Sequence, residues 1–297
     1  MYLLFSLLIG TVVAAQETEA TSNDHQNPWL TADKLFGVPL LTYAFWFGGK
    51  MGEKRLDVLN QIKANVGTPV VLITAGNVTE FEVKEHPFHP IVKYSLENKK
   101  GLSGNHLSDY FRLYIGYHWG GHYTDLKGRD STQGARAAWD AFKDDNIWLV
   151  GMKWTGNLAA DSEVEDYILQ NKEDTPDFKK LKLTADGKWD QENYKPYVVS
   201  NGGWIIRPAS LIIKKVMDYL EKERMTDQFS IQIKQHPVAD FKRCCQNNEV
   251  PGYPVTWAAL MGSVFEPYQA LFRSHINADL PMFNYWLGYS DDSEKVT

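Results

Sequence analysis

Apolar positions in this chain follow two alternating patterns. Pro39-Leu-Leu-Thr-Tyr-Ala-Phe-Trp-Phe47 is a nearly continuous apolar run stopped by Gly48-Gly49, which predicts a buried strand. The next segment, EKRLDVLNQIKAN, sets Leu56, Leu59 and Ile62 at helical spacing and predicts an amphipathic helix. Pro69-Val-Val-Leu-Ile-Thr74 is a second apolar strand. Strand, helix and strand within roughly 35 residues make a βαβ unit, which implies a parallel sheet covered by helices.

Further on, Leu107, Tyr110, Phe111, Tyr114, Ile115 and His118 recur at spacings of three and four, predicting a helix from Leu107 to Trp119 that ends at Gly120-Gly121. His122-Tyr-Thr-Asp-Leu126 is a short strand, and a helix around 132–143 carries Ala135, Ala138, Trp139 and Phe142 on one side. Ile147-Trp-Leu-Val-Gly151 and Trp204-Ile-Ile206 are further strands, the latter followed by a helix from Ala209 to Arg224. Residues 156–195 are charged and weakly patterned, reading as loops and short helices that cover a site. The stretch 250–290 is rich in aromatics and glycine, without a regular period. The whole predicts one α/β domain over 37–290, preceded by a flexible leader over 16–36.

Composition narrows the function. Hydrophobic residues are 43% and charged residues 23%, ordinary for a globular chain, and a net charge of −6 without a long basic block argues against nucleic acid. Ten Trp, fifteen Tyr and fourteen Phe either fill a large core or offer rings that stack on sugars. The opening MYLLFSLLIGTVVAA is short of the roughly 20 residues that span a bilayer, and ends in small residues that suit signal cleavage before Gln16. No later segment reads as a membrane span, so the chain is expected in the lumen of the secretory pathway (Golgi or endoplasmic reticulum) or outside the cell. Asn77-Val78-Thr79 is a glycosylation sequon in a turn after a strand. Cys244 and Cys245 are adjacent, and ordinary bridges hold Cα atoms about 5.5 Å apart, so no structural disulfide is expected.

The densest chemistry lies in Leu107–Lys127. Asp109 and Arg112, three apart, share a helix face, where the bland alternative is a surface ion pair. Asp125 stands at the carboxyl end of a short strand, where open α/β sheets place ligands. Ser-Asp-x-x-Arg, a helix, Gly-Gly-x-Tyr and an Asp at the strand end together resemble the sugar-nucleotide-binding region of glycosyltransferase family 32 and its capsular-polysaccharide relatives. Ala44-Phe-Trp-Phe-Gly-Gly49 and the helix with Arg55 resemble that group's first nucleotide-binding strand. Glu85-His-Pro-Phe-His-Pro90, the Trp139–Phe142 segment, Asn201-Gly-Gly203 and Tyr253-Pro-Val-Thr-Trp257 are also similar.

The resemblance implies a GT-A fold: a Rossmann-like, mostly parallel sheet flanked by helices, with an appended acceptor-binding part. It implies transfer of a hexose or N-acetylhexosamine from a UDP- or GDP-sugar to a glycan acceptor, with retention. Phe45, Trp46, Phe47, Arg55, Asp109, Arg112, Tyr123 and Asp125 would bind the donor, and Asp125, Lys127 and Asn201 would serve catalysis. The family's Asp-x-Asp holds Mn²⁺ or Mg²⁺; here it is Asp125-Leu126-Lys127, so Asp125 is the single carboxylate left for a metal. Lys127 either replaces the metal's charge on the diphosphate, pairs with Asp125, or marks a site without activity. Asn201 is otherwise a turn residue, since Asn-Gly is a strong turn signal. Glu266 falls where relatives often carry His, so it either sits near the diphosphate or, as the residues favour, is a solvated loop carboxylate. His118 and His122 are four apart, as zinc-binding helices require, but Gly120-Gly121 breaks the helix between them, so they read with His86 and His89 as core or surface residues. Two rivals remain: an inactive relative that binds sugar nucleotide or glycan without turnover, and an unrelated secreted carbohydrate-binding module.

The leader makes one expectation independent of the fold. Expression in a secreting cell should yield a mature chain beginning near Gln16 by N-terminal sequencing. An intact Met1 terminus in the membrane fraction would show an anchor instead.

Overall fold

The patterned segments form a sheet with helices on both faces. In the computed structural model, which describes residues 27–126, 135–153, 161–171, 174–245, 249–256 and 259–278, six strands make the central sheet. They are β1 (Thr42–Trp46), β2 (Val70–Thr74), β3 (Gly121–Thr124), β4 (Leu149–Lys153), β5 (Val199–Ile206) and β6 (Ile276–Asn277). The principal helices are α1 (Glu53–Asn65), α2 (Pro90–Asn98), α3 (Gly104–His118), α4 (Ser162–Asn171), α5 (Leu211–Tyr219), α6 (Asp227–Gln235) and α7 (Gly262–Leu271). The strand order is β6-β4-β5-β3-β1-β2. All neighbours are parallel except β5, which runs antiparallel to both β3 and β4. The chain is therefore α/β, with a mostly parallel sheet.

Strand alternation assigns each face its own core. Ala44, Val150 and Ile205 point to the side covered by Val58, Leu59 and Ile62 of α1 and by Trp139 and Phe142. Tyr43, Phe45, Tyr123, Leu149, Trp204 and Ile206 point to the other side, into a larger cluster with α3, α5 and α7. Gly120, at φ +68°, turns the chain from α3 into β3, and a Cβ there would lie 2.6 Å from Pro208. That turn sends α3 back along the sheet, with its amino end over the carboxyl ends of the parallel strands.

Several boundaries differ from expectation for identifiable reasons. On α1 the inward stripe is Val58, Leu59 and Ile62, and Leu56 is 48% exposed. The segment expected as a helix over 132–143 is one α turn, Ala135–Ala138, followed by a 3₁₀ turn, Trp139–Lys143. Asn201-Gly-Gly is not a turn but lies within β5, which starts at Val199: Val199 pairs with Lys153 and Gly203 with Thr124, the register against β4 shifts between Gly151 and Lys153, and the buried Gln269 amide accepts from Val199 N–H (2.6 Å) and donates to its carbonyl (3.2 Å). α5 stops at Tyr219 and continues as a π-helical turn, Leu220–Arg224. α7 lies in the stretch without a period: all ten of its residues are buried, so no polar face reveals the helix. Glu266 is accordingly a buried helical carboxylate, not a solvated loop one. Before residue 37, Trp29 is buried and stacks on Phe81 with centroids 3.9 Å apart. Cys244 and Cys245 are joined in a vicinal disulfide, contrary to expectation. The proposed cleavage site lies outside the described residues. Among the described residues no helix is long and apolar enough to cross a membrane.

One buried and one half-buried histidine make stability depend on pH. His122 is fully enclosed, with Nδ1 3.0 Å from Thr42 Oγ1, and burial holds its pKa down at about 3. Burial, then the neighbouring His86, lowers His118 to about 4. Both lie below the unfolded value near 6.5, so the unfolded chain takes up these protons first. Their contribution is complete above about pH 6.5 and is lost as pH falls towards 4, at up to about 1.4 kcal/mol per pH unit for His122. Urea unfolding at pH 7.5 and pH 5 should show a markedly lower midpoint at pH 5, and His122→Asn should flatten that dependence. Equal midpoints for the wild type would refute it.

Candidate functional site at the carboxyl edge of the sheet

From β1 the chain crosses through α1 to β2 on one side, while β3 lies on the other side of β1. The strand order thus reverses between β1 and β3, and open α/β sheets bind ligands in the crevice beyond the carboxyl ends at such a point. Asp125 follows β3 directly, and Trp46 ends β1. Because β5 is antiparallel, its first residues come to this same edge. Asp125 N–H donates to the Gly202 carbonyl at 2.8 Å.

The amino-terminal half of α3 overhangs this edge, with Ser103 as its N-cap. From there Arg112 reaches into the interior. Its Nη1 donates to the Asn201 carbonyl (2.6 Å), its Nε to the Ser108 carbonyl (3.3 Å) and its Nη2 to Ser108 Oγ (3.2 Å). Nη2 also lies 3.1 Å from Asp109 Oδ1 and 3.7 Å from Asp125 Oδ1. The guanidinium carbon sits 4.5 Å from the centre of the Tyr123 ring. Tyr123 and Asp125 are two apart and share a face, and the Tyr123 hydroxyl donates to Asp125 Oδ1. Burial above all raises the Tyr123 pKa well above its usual value, against the lowering effect of Arg112, so the phenol remains a donor.

This is no surface ion pair. The side chains of Arg112 and Asp109 are 9% and 13% exposed, and that of Asp125 is 19% exposed. One guanidinium lies among two carboxylates, so the cluster of these three side chains has a formal charge of −1.

The remaining candidates divide. Arg55 Nη1 donates to the Leu126 carbonyl at 2.5 Å, which holds the chain just beyond Asp125. Asn201 belongs to the site through its carbonyl. Phe45 and Phe47 are core rings, against Tyr123 (5.4 Å) and Phe111 (5.3 Å), and do not offer a free stacking face. Trp46 is half-buried, its Nε1 donating to the Gly49 carbonyl at 2.6 Å. Lys127 lies outside the described residues. Asn77 braces the turn after β2, its Oδ1 accepting from Thr74 N–H (2.7 Å) and its Nδ2 donating to the Leu72 carbonyl (3.0 Å). His118 and His122 do not meet: His118 Nε2 is 2.8 Å from His86 Nδ1, whereas His122 contacts Thr42. Two contributors escaped the sequence reading. Ser108 accepts two donors from Arg112, and only its place in Ser-Asp-x-x-Arg hinted at that. Gln269 anchors the start of β5 and had no local signal.

No protein-family model matches this chain, and no curated protein matches it significantly.

The geometry predicts a larger cost for losing Arg112 than any surface pair would show. Arg112→Ala leaves two largely buried carboxylates without their cation, and breaking a buried pair costs about 3–5 kcal/mol. Urea unfolding measures it. A loss below about 1 kcal/mol, the range of an exposed pair, would contradict the clasp.

Proposed function

We propose that the chain is a glycosyltransferase of GT-A type, moving a hexose or N-acetylhexosamine from a UDP- or GDP-sugar to a glycan acceptor, in the secretory pathway or outside the cell. The observation that carries this reading is convergence. Asp109, Arg112, Tyr123, Asp125 and the Asn201 carbonyl, drawn from three elements, meet at the edge where the strand order reverses. These are five of the positions that the resemblance to family 32 assigns to the donor and to catalysis. In the reaction, the anomeric carbon exchanges its bond to the diphosphate oxygen for one to an acceptor hydroxyl, whose proton passes to the departing diphosphate. Charge grows on the leaving oxygens, and fixed positive charge lowers that barrier.

The usual divalent cation does not fit the side chains described. Asp125 is the single carboxylate of the degenerate triplet, and its Oδ1 already accepts from Tyr123 and faces Arg112. Asp109 is likewise paired with Arg112. Among the described residues no group of three or more His, Cys, Asp and Glu could hold a metal ion. Lys127, two residues beyond Asp125, is the proposed counter-charge. The second reading, an inactive relative that binds sugar nucleotide or glycan without turnover, is favoured by the same altered triplet.

A thermal-shift screen against UDP- and GDP-sugars, with Mn²⁺ or with EDTA, tests both parts. A ligand at 100 times its Kd adds about 2.7 kcal/mol of stability. Stabilisation by one donor in EDTA is expected, together with slow donor hydrolysis that Lys127→Ala lowers by about a hundred to a thousandfold. Binding only with Mn²⁺ would sink the role of Lys127 and leave the transferase standing. Binding without hydrolysis would favour the inactive relative, and no binding at all would remove the proposal.

A further inference from the structure

The loop that follows α6 closes over the first turn of α3. Gly104 N–H donates to the Lys242 carbonyl (3.3 Å), and Cys244 N–H donates to Asn105 Oδ1 (3.2 Å). Ser103 also donates its hydroxyl to Asn105 Oδ1 (2.8 Å), so the loop and the helix cap share one acceptor. The fit is close: a Cβ on Gly104 would lie 2.5 Å from the Phe241 carbonyl oxygen. Tyr253 adds a second tether, its hydroxyl accepting from Ser103 N–H (3.1 Å) and lying 2.9 Å from His106 Nδ1. Cys244 and Cys245 are buried, packed with Val238 and beside Val250 and Tyr253.

The backbone at the cysteines is unusual. Five other described non-glycine residues have positive φ, between 49° and 57°, within the ordinary left-handed well, whereas Cys245 stands at 102°. An L-residue stays there only where its surroundings impose it. The Cys244–Cys245 bond closes a ring through the peptide between them. Cys245 N–H is held in that geometry by Glu249 Oε2 at 2.8 Å.

We infer that Cys244–Cys245 is a reversible redox site, taking a dithiol reductant, which latches this loop onto the amino end of α3. A thiolate of the reductant attacks one protein sulfur and forms a mixed disulfide. Its second thiol then displaces that sulfur. Two electrons and two protons pass to the protein, leaving Cys244 and Cys245 as thiols and the reductant as a cyclic disulfide. Cys245 is then free to leave φ 102°, which moves the amide of Cys244 from Asn105 and uncouples the loop from α3. Asp109 and Arg112 lie one and two turns further along that helix, so the latch also bears on the site.

Hydrogen exchange on the full chain, before and after dithiothreitol, tests the inference without relying on any assigned activity. The oxidised native protein should resist alkylation, and reduction should expose two thiols by intact mass. Exchange at Gly104 and at Lys242–Cys245 should then quicken at least tenfold, with Tyr43–Phe45 of β1 unchanged. The double variant C244S/C245S should reproduce the reduced pattern, and a bond that resists dithiothreitol in the native protein would overturn the redox assignment. Two thiols alkylated without reductant, or equal exchange in oxidised and reduced or variant protein, would overturn it.

Discussion

The Arg112 guanidinium is the part on which the rest of this edge depends. It joins three segments that are distant in sequence: the first half of α3, the end of β3 and the start of β5. A planar group with five donors in a fixed fork suits that work, because each direction finds a partner: the Ser108 carbonyl and hydroxyl, Asp109, the Asn201 carbonyl and, further off, Asp125. A lysine at this position would supply the charge without the fork. Its flat face on Tyr123 adds a contact that aligns the ring, and the ring's hydroxyl in turn orients Asp125. Buried ion pairs contribute little net stability compared with well-packed apolar groups, so the arrangement is better understood as specifying one geometry at the sheet edge.

Where local pattern and tertiary pairing agreed, the fold was legible in the sequence. α1 and β2 stand within a residue of the segments that their patterns mark, because a half-exposed helix carries an apolar period and a short continuous apolar run marks a strand, even though only Ile73 of β2 is fully buried. β5 was not legible over its first half. Asn-Gly-Gly has the local preferences of a turn, and it is held extended by contacts from elsewhere in the chain: Gly203 against Thr124, the Gly202 carbonyl on Asp125, and Val199 against Lys153 and the Gln269 amide. α7 failed for the opposite reason: complete burial removes the polar face by which a helix is recognised, and Gly262 and Pro267 look like breakers.

The candidate site shows the same division. Asp109 and Arg112 were visible from their spacing, but a surface pair and a buried clasp have identical spacing. What separates them is the depth of α3 against the sheet, a tertiary property. The alternation of Tyr123 and Asp125 on one strand was the available signal that a phenol would reach the carboxylate. Phe45 and Phe47 illustrate the limit of assigning a whole run to a ligand. Successive strand residues face opposite sides, so these two enter the core with α3 while Trp46 faces away.

Charge at this edge sets the terms for any anionic ligand. Asp109 and Asp125 bring two negative charges against the one positive charge of Arg112, whose donors are already committed to the protein. A diphosphate approaching these three groups alone would meet net repulsion, and in a partly desolvated crevice that repulsion is stronger than in water. On the proposed reading, therefore, the clasp shapes the site without neutralising the ligand, and the neutralising charge must come from elsewhere. Arg55 is turned to the Leu126 carbonyl, which fixes the direction in which the chain leaves Asp125. That same segment continues into Lys127, the counter-charge of the proposed reading.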